Sequence, residues 1–254
     1  MRLLVDFLLR FGWGLAVGLV LTPAAAVPPG FFRVNLLVIM GLATFAALVG
    51  HAAPTAAWPL AAVAAVTAWA GSVAWFGERR RAGAGLCLAT ALLLAGGIVV
   101  FHASAADSTA VSAVGGAASA ILSGLVSGLT VHAMLLGHWY LNAPGMRVDL
   151  LRRAIDAALL VWGMQLAATV AVWAGGSMTP VAERAAVSVP AGGTVAALVA
   201  LRWLAGLVGL PILLVMARKT LDIPNTQSAT GILYVACLAA ILGELTAQLL
   251  QAPV

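Results

Sequence analysis

Apolar runs of about eighteen residues or more recur from the first residues of this chain to the last, and a run of that length crosses the ~30 Å hydrocarbon core of a bilayer as one α-helix. The runs are continuous rather than alternating, which favours helices over a transmembrane barrel. Turn chemistry separates them: Pro28-Pro29-Gly30, Pro54, Gly77-Glu78, Asn142-Ala143-Pro144-Gly145, Pro180, Pro190 and Pro224-Asn225. This punctuation predicts eight spans, at 8–27, 33–51, 56–76, 85–105, 111–141, 151–174, 193–216 and 227–250. The expected fold is therefore all-α: a polytopic transmembrane helix bundle with short loops, with residues 1–254 forming a single integral membrane domain.

Composition agrees. Only 8% of residues are charged, against about one quarter in a soluble domain, so no water-exposed surface can be built from them. The surroundings of the chain are expected to be lipid. The first run is not a plain signal peptide: it carries Asp6 and Arg10, lacks a small-x-small cleavage site, and more spans follow it.

The charges that remain set an orientation. Arg33, Arg79, Arg80, Arg81, Arg147, Arg152, Arg153, Arg218 and Lys219 all fall in or beside odd-numbered connections. Only Arg2 and Arg184 fall on the other side, and Arg10 and Arg202 lie within spans. Positive charge marks the cytoplasmic side, so odd connections are expected in the cytoplasm and both termini outside. A bacterial cytoplasmic (inner) membrane is the expected location. The basic residues read as topology signals in short loops, not as a phosphate-binding face, so nucleic acid is not an expected partner. Lipid is, and other membrane subunits fit as well.

Motifs for soluble chemistry are missing. There is no GxGxxG, no GxxxxGK[ST], no CxxC and no zinc spacing. Cys87 and Cys237 sit singly inside apolar runs, as small core residues do. No nucleophile motif or carboxylate pair is visible, so an enzyme acting on a soluble substrate is the least supported reading. No internal repeat is evident in the sequence, which gives no support to an inverted-repeat transporter.

The polar residues within the spans carry whatever function there is. In the fifth span Gly116, Ala120, Gly124, Gly128 and His132 step by four, with Ser123 and Ser127 beside them. Such a small-residue ridge admits a crossing helix or a flat cofactor close to the backbone. His132 ends the ridge within the membrane, where it serves either as polar glue or as a functional group. His138 sits beside Trp139 and Tyr140 and reads as interface trim. His51 and His102 lie at similar depth near the outer face, and two such imidazoles could ligate haem b axially, with Gly96 and Gly97 giving room. Arg202 and Glu244 lie at comparable depth on the last two spans. A lone charge there costs ~2.5–3.5 kcal/mol, so the two are expected to meet, directly or through water, with Gln165 and Gln248 as companions. Pro211 should kink or loosen the seventh span.

Three functions fit this pattern. The histidine set puts first a haem- or quinone-associated redox or respiratory membrane subunit, with His51, His102 and His132 as cofactor contacts. The intramembrane charge favours a proton or small-solute transporter. A structural or assembly component of a membrane complex needs the fewest special residues.

Overall fold

The computed structural model describes residues 1–104, 110–140, 142–143, 145–174, 193–223 and 225–251. The predicted connection at 175–192, with Arg184, Pro180 and Pro190, lies outside the described residues, as do Pro144 and Pro224. Every regular element described is helical: α1 (Arg2–Leu21), α2 (Pro29–Ala52), α3 (Trp58–Phe76), α4 (Arg80–Ala103), α5 (Ala110–Trp139), α6 (Val148–Ala174), α7 (Gly193–Leu201), a π-helical segment (Arg202–Gly209), α8 (Leu210–Thr220) and α9 (Thr226–Gln251). The segment from α7 through α8 forms one span, so that eight stretches are long and apolar enough to cross a membrane. The chain is a polytopic membrane protein.

Seven of these spans lie close to their predicted places. The first does not: it runs over residues 2–21 rather than 8–27. Pro23 is the reason. A proline disfavours α geometry in the residue before it, and Thr22 is extended at φ −82°, ψ 121°. The earlier start carries Asp6 and Arg10 deep into the helix, where both are buried.

Pro211 acts through the turn before it. It lacks an amide hydrogen, and its ring crowds the carbonyl four residues back. The helix answers by widening: Arg202–Gly209 is π-helical, and the Leu210 amide reaches back five residues to the Ala205 carbonyl. At the entry to α9 the Asn225 side chain accepts a hydrogen bond from the Ser228 amide at 3.0 Å, which caps the helix.

The packing repeats. α1 packs on α2 and α4, and α3 packs on both α2 and α4. In the second half α5 packs on α6 and α9, and the α7–α8 span packs on both α6 and α9. Two four-helix rings result, each led by a helix running in the same sense, and α1 against α5 joins them. The lead helices even share a local pattern, Gly-Leu-x-x-Gly-Leu, in Gly14–Leu21 and Gly124–Val131. The contact order of the first four helices thus recurs in the last four. α1 and α5 are accordingly the most buried spans, and the sixth and seventh the least.

The arginine-bearing connections hold to one another. Arg80 donates to the Ala24 carbonyl at 3.1 Å, Arg218 Nε lies 2.8 Å from Asp156, and Arg152 donates to the Leu221 carbonyl. Just past α5, the buried Tyr140 hydroxyl donates to the Arg147 carbonyl at 2.5 Å. Burial pushes this phenol up to about 12 from its ordinary 10.0. An acid whose folded-state value is raised stabilises the fold below its unfolded value and loses that contribution as pH climbs toward the folded one. Tyr140→Phe should therefore cost about 1 kcal/mol near neutral pH. It should also flatten the fall in stability above about pH 10, as unfolding in detergent across that range would show.

Candidate functional site

Asp6 and Arg10 stand one helical turn apart on α1, on the same face, and pair directly. Arg10 also crosses to the second ring. Its Nη1 lies 2.9 Å from Glu244 Oε1 on α9 and 3.2 Å from Ser123 Oγ on α5. Ser123 Oγ is itself 3.2 Å from Glu244 Oε1, and Gln248 Nε2 donates to the same oxygen at 2.9 Å. From α4, His102 Nε2 approaches Asp6 Oδ1 at 3.3 Å and Arg10 Nη2 at 3.5 Å. Helices of both rings thus converge on one guanidinium. Asp6 and Arg10 are each 5% exposed and Glu244 6%, so this is a buried network whose members depend on each other for their solvation.

The sequence pointed to Arg202 as the partner of Glu244. The structure gives the direct contact to Arg10; among the described residues Arg202 makes no ion pair, though it shares a cavity wall with Glu244. Arg202 instead lines a cavity of about 40 Å³ shared with Glu244, Gln165, Ser123, Ser127 and Thr169. The cavity lies within the second ring, beside the π-helical segment. The three donors to Glu244 all fall on Oε1. Its other carboxylate oxygen has no hydrogen-bond partner among the described residues. Glu244 is therefore held by one oxygen to the inter-ring network while its residue forms part of a polar cavity wall.

Asp6, Arg10 and Ser123 were not recognised as site residues in the sequence. The signal was present: an acidic and a basic residue four apart in an apolar helix. It went unused because the predicted span began at residue 8, which left Asp6 outside the membrane.

The histidines keep separate company. His102 is turned toward α1. His51 is exposed and meets Trp58 edge-on, with centroids 4.9 Å apart. His132 is buried against Thr22, at 2.9 Å, and Phe31. His138 Nδ1 lies 3.1 Å from the Tyr234 hydroxyl near the α5 terminus. The glycine ridge is filled: the backbones of α1 and α5 meet along it, and Gly116 lies against His102. Gly97 faces Leu9 and Gly96 faces Leu60. The room that these glycines could have given a macrocycle is taken by helices. Among the described residues no group of three or more His, Cys, Asp or Glu is placed to hold a metal ion.

Comparison with protein-family models, with curated proteins and with solved structures finds no match.

Proposed function

We propose that this protein is a proton-coupled transporter of a small polar solute, with Glu244 as the carboxylate that exchanges the proton. The observation that carries the reading is the setting of Glu244. It lies between a buried arginine at the junction of the two rings and a polar cavity within one of them. The Glu244 residue also lines a cavity whose wall holds Arg202, a second and half-buried cation.

Asp6 and Glu244 share Arg10, with His102 against Asp6 and Arg202 across the cavity. Protonating Glu244 weakens its hold on Arg10, the contact that ties α9 to α1. A proton taken up from the cavity would thus loosen one inter-ring tie, and two rings rocking about α1 and α5 offer a simple route to alternating access. On this reading the arginine-bearing connections face the cytoplasm, and the protein resides in a bacterial inner membrane. A redox subunit gains less support, because His51, His102 and His132 are committed to three different sets of neighbours.

The test needs no knowledge of the solute. Proteoliposomes adsorbed on a solid-supported membrane should give a charge displacement on a rapid pH jump, from proton binding within the membrane field. Glu244→Gln should abolish it. Asp6→Asn should retain a signal with altered pH dependence, since Asp6 does not line the cavity but shares Arg10 with Glu244. A wild-type signal no larger than that of protein-free liposomes, or one unchanged in Glu244→Gln, would overturn the proposal.

A further inference from the structure

Most donors in the cavity beside the π-helical segment are already committed. The Trp162 indole donates to the Gly206 carbonyl at 3.3 Å, and Thr169 Oγ1 donates to the Gln165 carbonyl at 2.8 Å. Ser127 Oγ donates along its own helix, 3.2 Å from the Ser123 carbonyl. The single hydroxyl hydrogen of Ser123 is shared between the Ala120 carbonyl and Glu244. Two donor groups in the wall are left over: the Arg202 guanidinium and the Gln165 amide. Neither side chain has a hydrogen bond or ion pair among the described residues.

These groups are open to a ligand. Arg202 and Gln165 are half-buried, and no unpaired polar atom on either of them, nor Oε2 of Glu244, is fully buried. All three groups therefore keep accessible surface. The charge of Arg202 interacts with that of Glu244, which puts the guanidinium on the cavity side of its helix. The cavity thus presents two free donor groups and one free carboxylate oxygen.

We propose that this cavity takes the carboxylate of a small solute, gripped by the Arg202 guanidinium and the Gln165 amide, and that each solute anion enters with one proton on Glu244 Oε2. This rests on the transport reading and names its substrate class. An unpaired cation within the membrane costs ~2.5–3.5 kcal/mol, which an anion offsets. The guanidinium fork matches a carboxylate through two parallel N–H···O bonds. Room decides between anions. The cavity is about 40 Å³, and one water needs about 10–15 Å³ by the same measure. About three non-hydrogen atoms fit, which is a carboxylate group; a tetrahedral phosphate is too large. Ionised Glu244 repels an anion in the shared cavity, whereas protonated Glu244 donates a hydrogen bond to it. Anion and proton therefore favour each other's binding, and lower pH tightens the anion. The other charged groups about Glu244 are Arg10 of α1, with Asp6 and the His102 of α4 behind it, and Arg202. α5 and α6 bring only neutral side chains to this cavity.

The experiment follows carboxyl-carbon-13 acetate by NMR with the full chain in phosphatidylcholine nanodiscs, empty nanodiscs giving the baseline. Binding to the slowly tumbling disc should broaden the acetate resonance, and unlabelled acetate should reverse this. Affinity should rise from about pH 8 to about pH 6, by at most about tenfold per pH unit, the limit for one coupled proton. Arg202→Gln should weaken binding by about tenfold or more. Glu244→Gln should keep the binding and lose its pH dependence, because an amide whose oxygen faces Arg10 and Gln248 turns its N–H to the cavity. Labelled acetamide, neutral and of the same shape, should not broaden. Acetamide binding as well as acetate, or Arg202→Gln binding acetate unchanged, overturns the site. Inorganic phosphate competing as strongly as unlabelled acetate overturns the choice of carboxylate, and affinity that does not rise on acidification overturns the coupling to Glu244. The pH-jump signal separates the two readings: present without acetate binding, it leaves the transport reading and removes this one; absent with Arg202-dependent acetate binding, it removes the transport reading and leaves the anion site.

Discussion

Arg10→Leu should lower the stability of the fold by about 3–5 kcal/mol, the usual result of removing one partner from a buried charge network. The reason is geometric. Arg10 is the only cation among the described residues that touches both Asp6 and Glu244, and leucine would leave two carboxylates buried without it. Neutralising them should reverse most of the loss, because a buried pair replaced by uncharged groups of similar shape is often no less stable than the pair. Asp6→Asn and Glu244→Gln introduced into Arg10→Leu should therefore restore much of the wild-type stability. Arg202→Leu provides the contrast. Arg202 is half-buried and holds no ion pair among the described residues, so its loss should cost no more than about 1 kcal/mol. Unfolding by SDS in mixed micelles, followed by tryptophan fluorescence, ranks the three variants. If Arg202→Leu proved the more damaging of the two single substitutions, the partner of Glu244 would have to be reassigned.

That contrast also shows what was legible in the sequence. Spans are written in one dimension, as runs of apolar residues of membrane length, so all eight could be read. Their ends depend on single residues: Pro23 moved the first helix by six positions, because one proline removed Thr22 from α geometry. Depth is half legible, since it follows from counting along each span. Depth alone placed Glu244 level with Arg202, and Arg10 falls at a similar level once α1 begins at Arg2. Choosing between the two cations requires knowing which helices touch, and that is decided by packing. The histidines meet the same limit of depth without packing. His51 and His102 share a depth, but the ring of His102 turns to α1. The ring-of-four repeat was illegible for another reason: it resides in contacts, and its trace in sequence is four identical residues in an eight-residue window.

The glycine ridge, by contrast, was legible as a close-approach surface, and the helix that occupies it is α1. The approach is backbone to backbone. A Cβ on Gly14 would fall on the carbonyl oxygen of Gly124, one on Gly124 would lie 2.6 Å from the Arg10 carbonyl oxygen, and one on Gly128 would strike the backbone of Gly14. No rotamer change can relieve such clashes, since the obstructing atoms are main chain. Gly124→Val should consequently cost more than the ~1–3 kcal/mol typical of overpacking against side chains, and should shift the protein toward aggregated material in size-exclusion chromatography. Gly85→Ala and Gly163→Ala, where a Cβ meets nothing within 4 Å, should be neutral or gain up to about 1 kcal/mol from helix propensity. A milder change carries the more informative consequence. Gly124→Ala forces α1 and α5 apart at the level of Arg10, whose guanidinium must reach Ser123 on α5 and Glu244 on α9 from the far side of that seam. In protein that still folds, the pH-jump signal assigned to Glu244 should therefore change in size or pH dependence, though Gly124 bears no ionisable group. An unchanged signal in folded Gly124→Ala would mean that the spacing of the two lead helices does not set the electrostatics of the site.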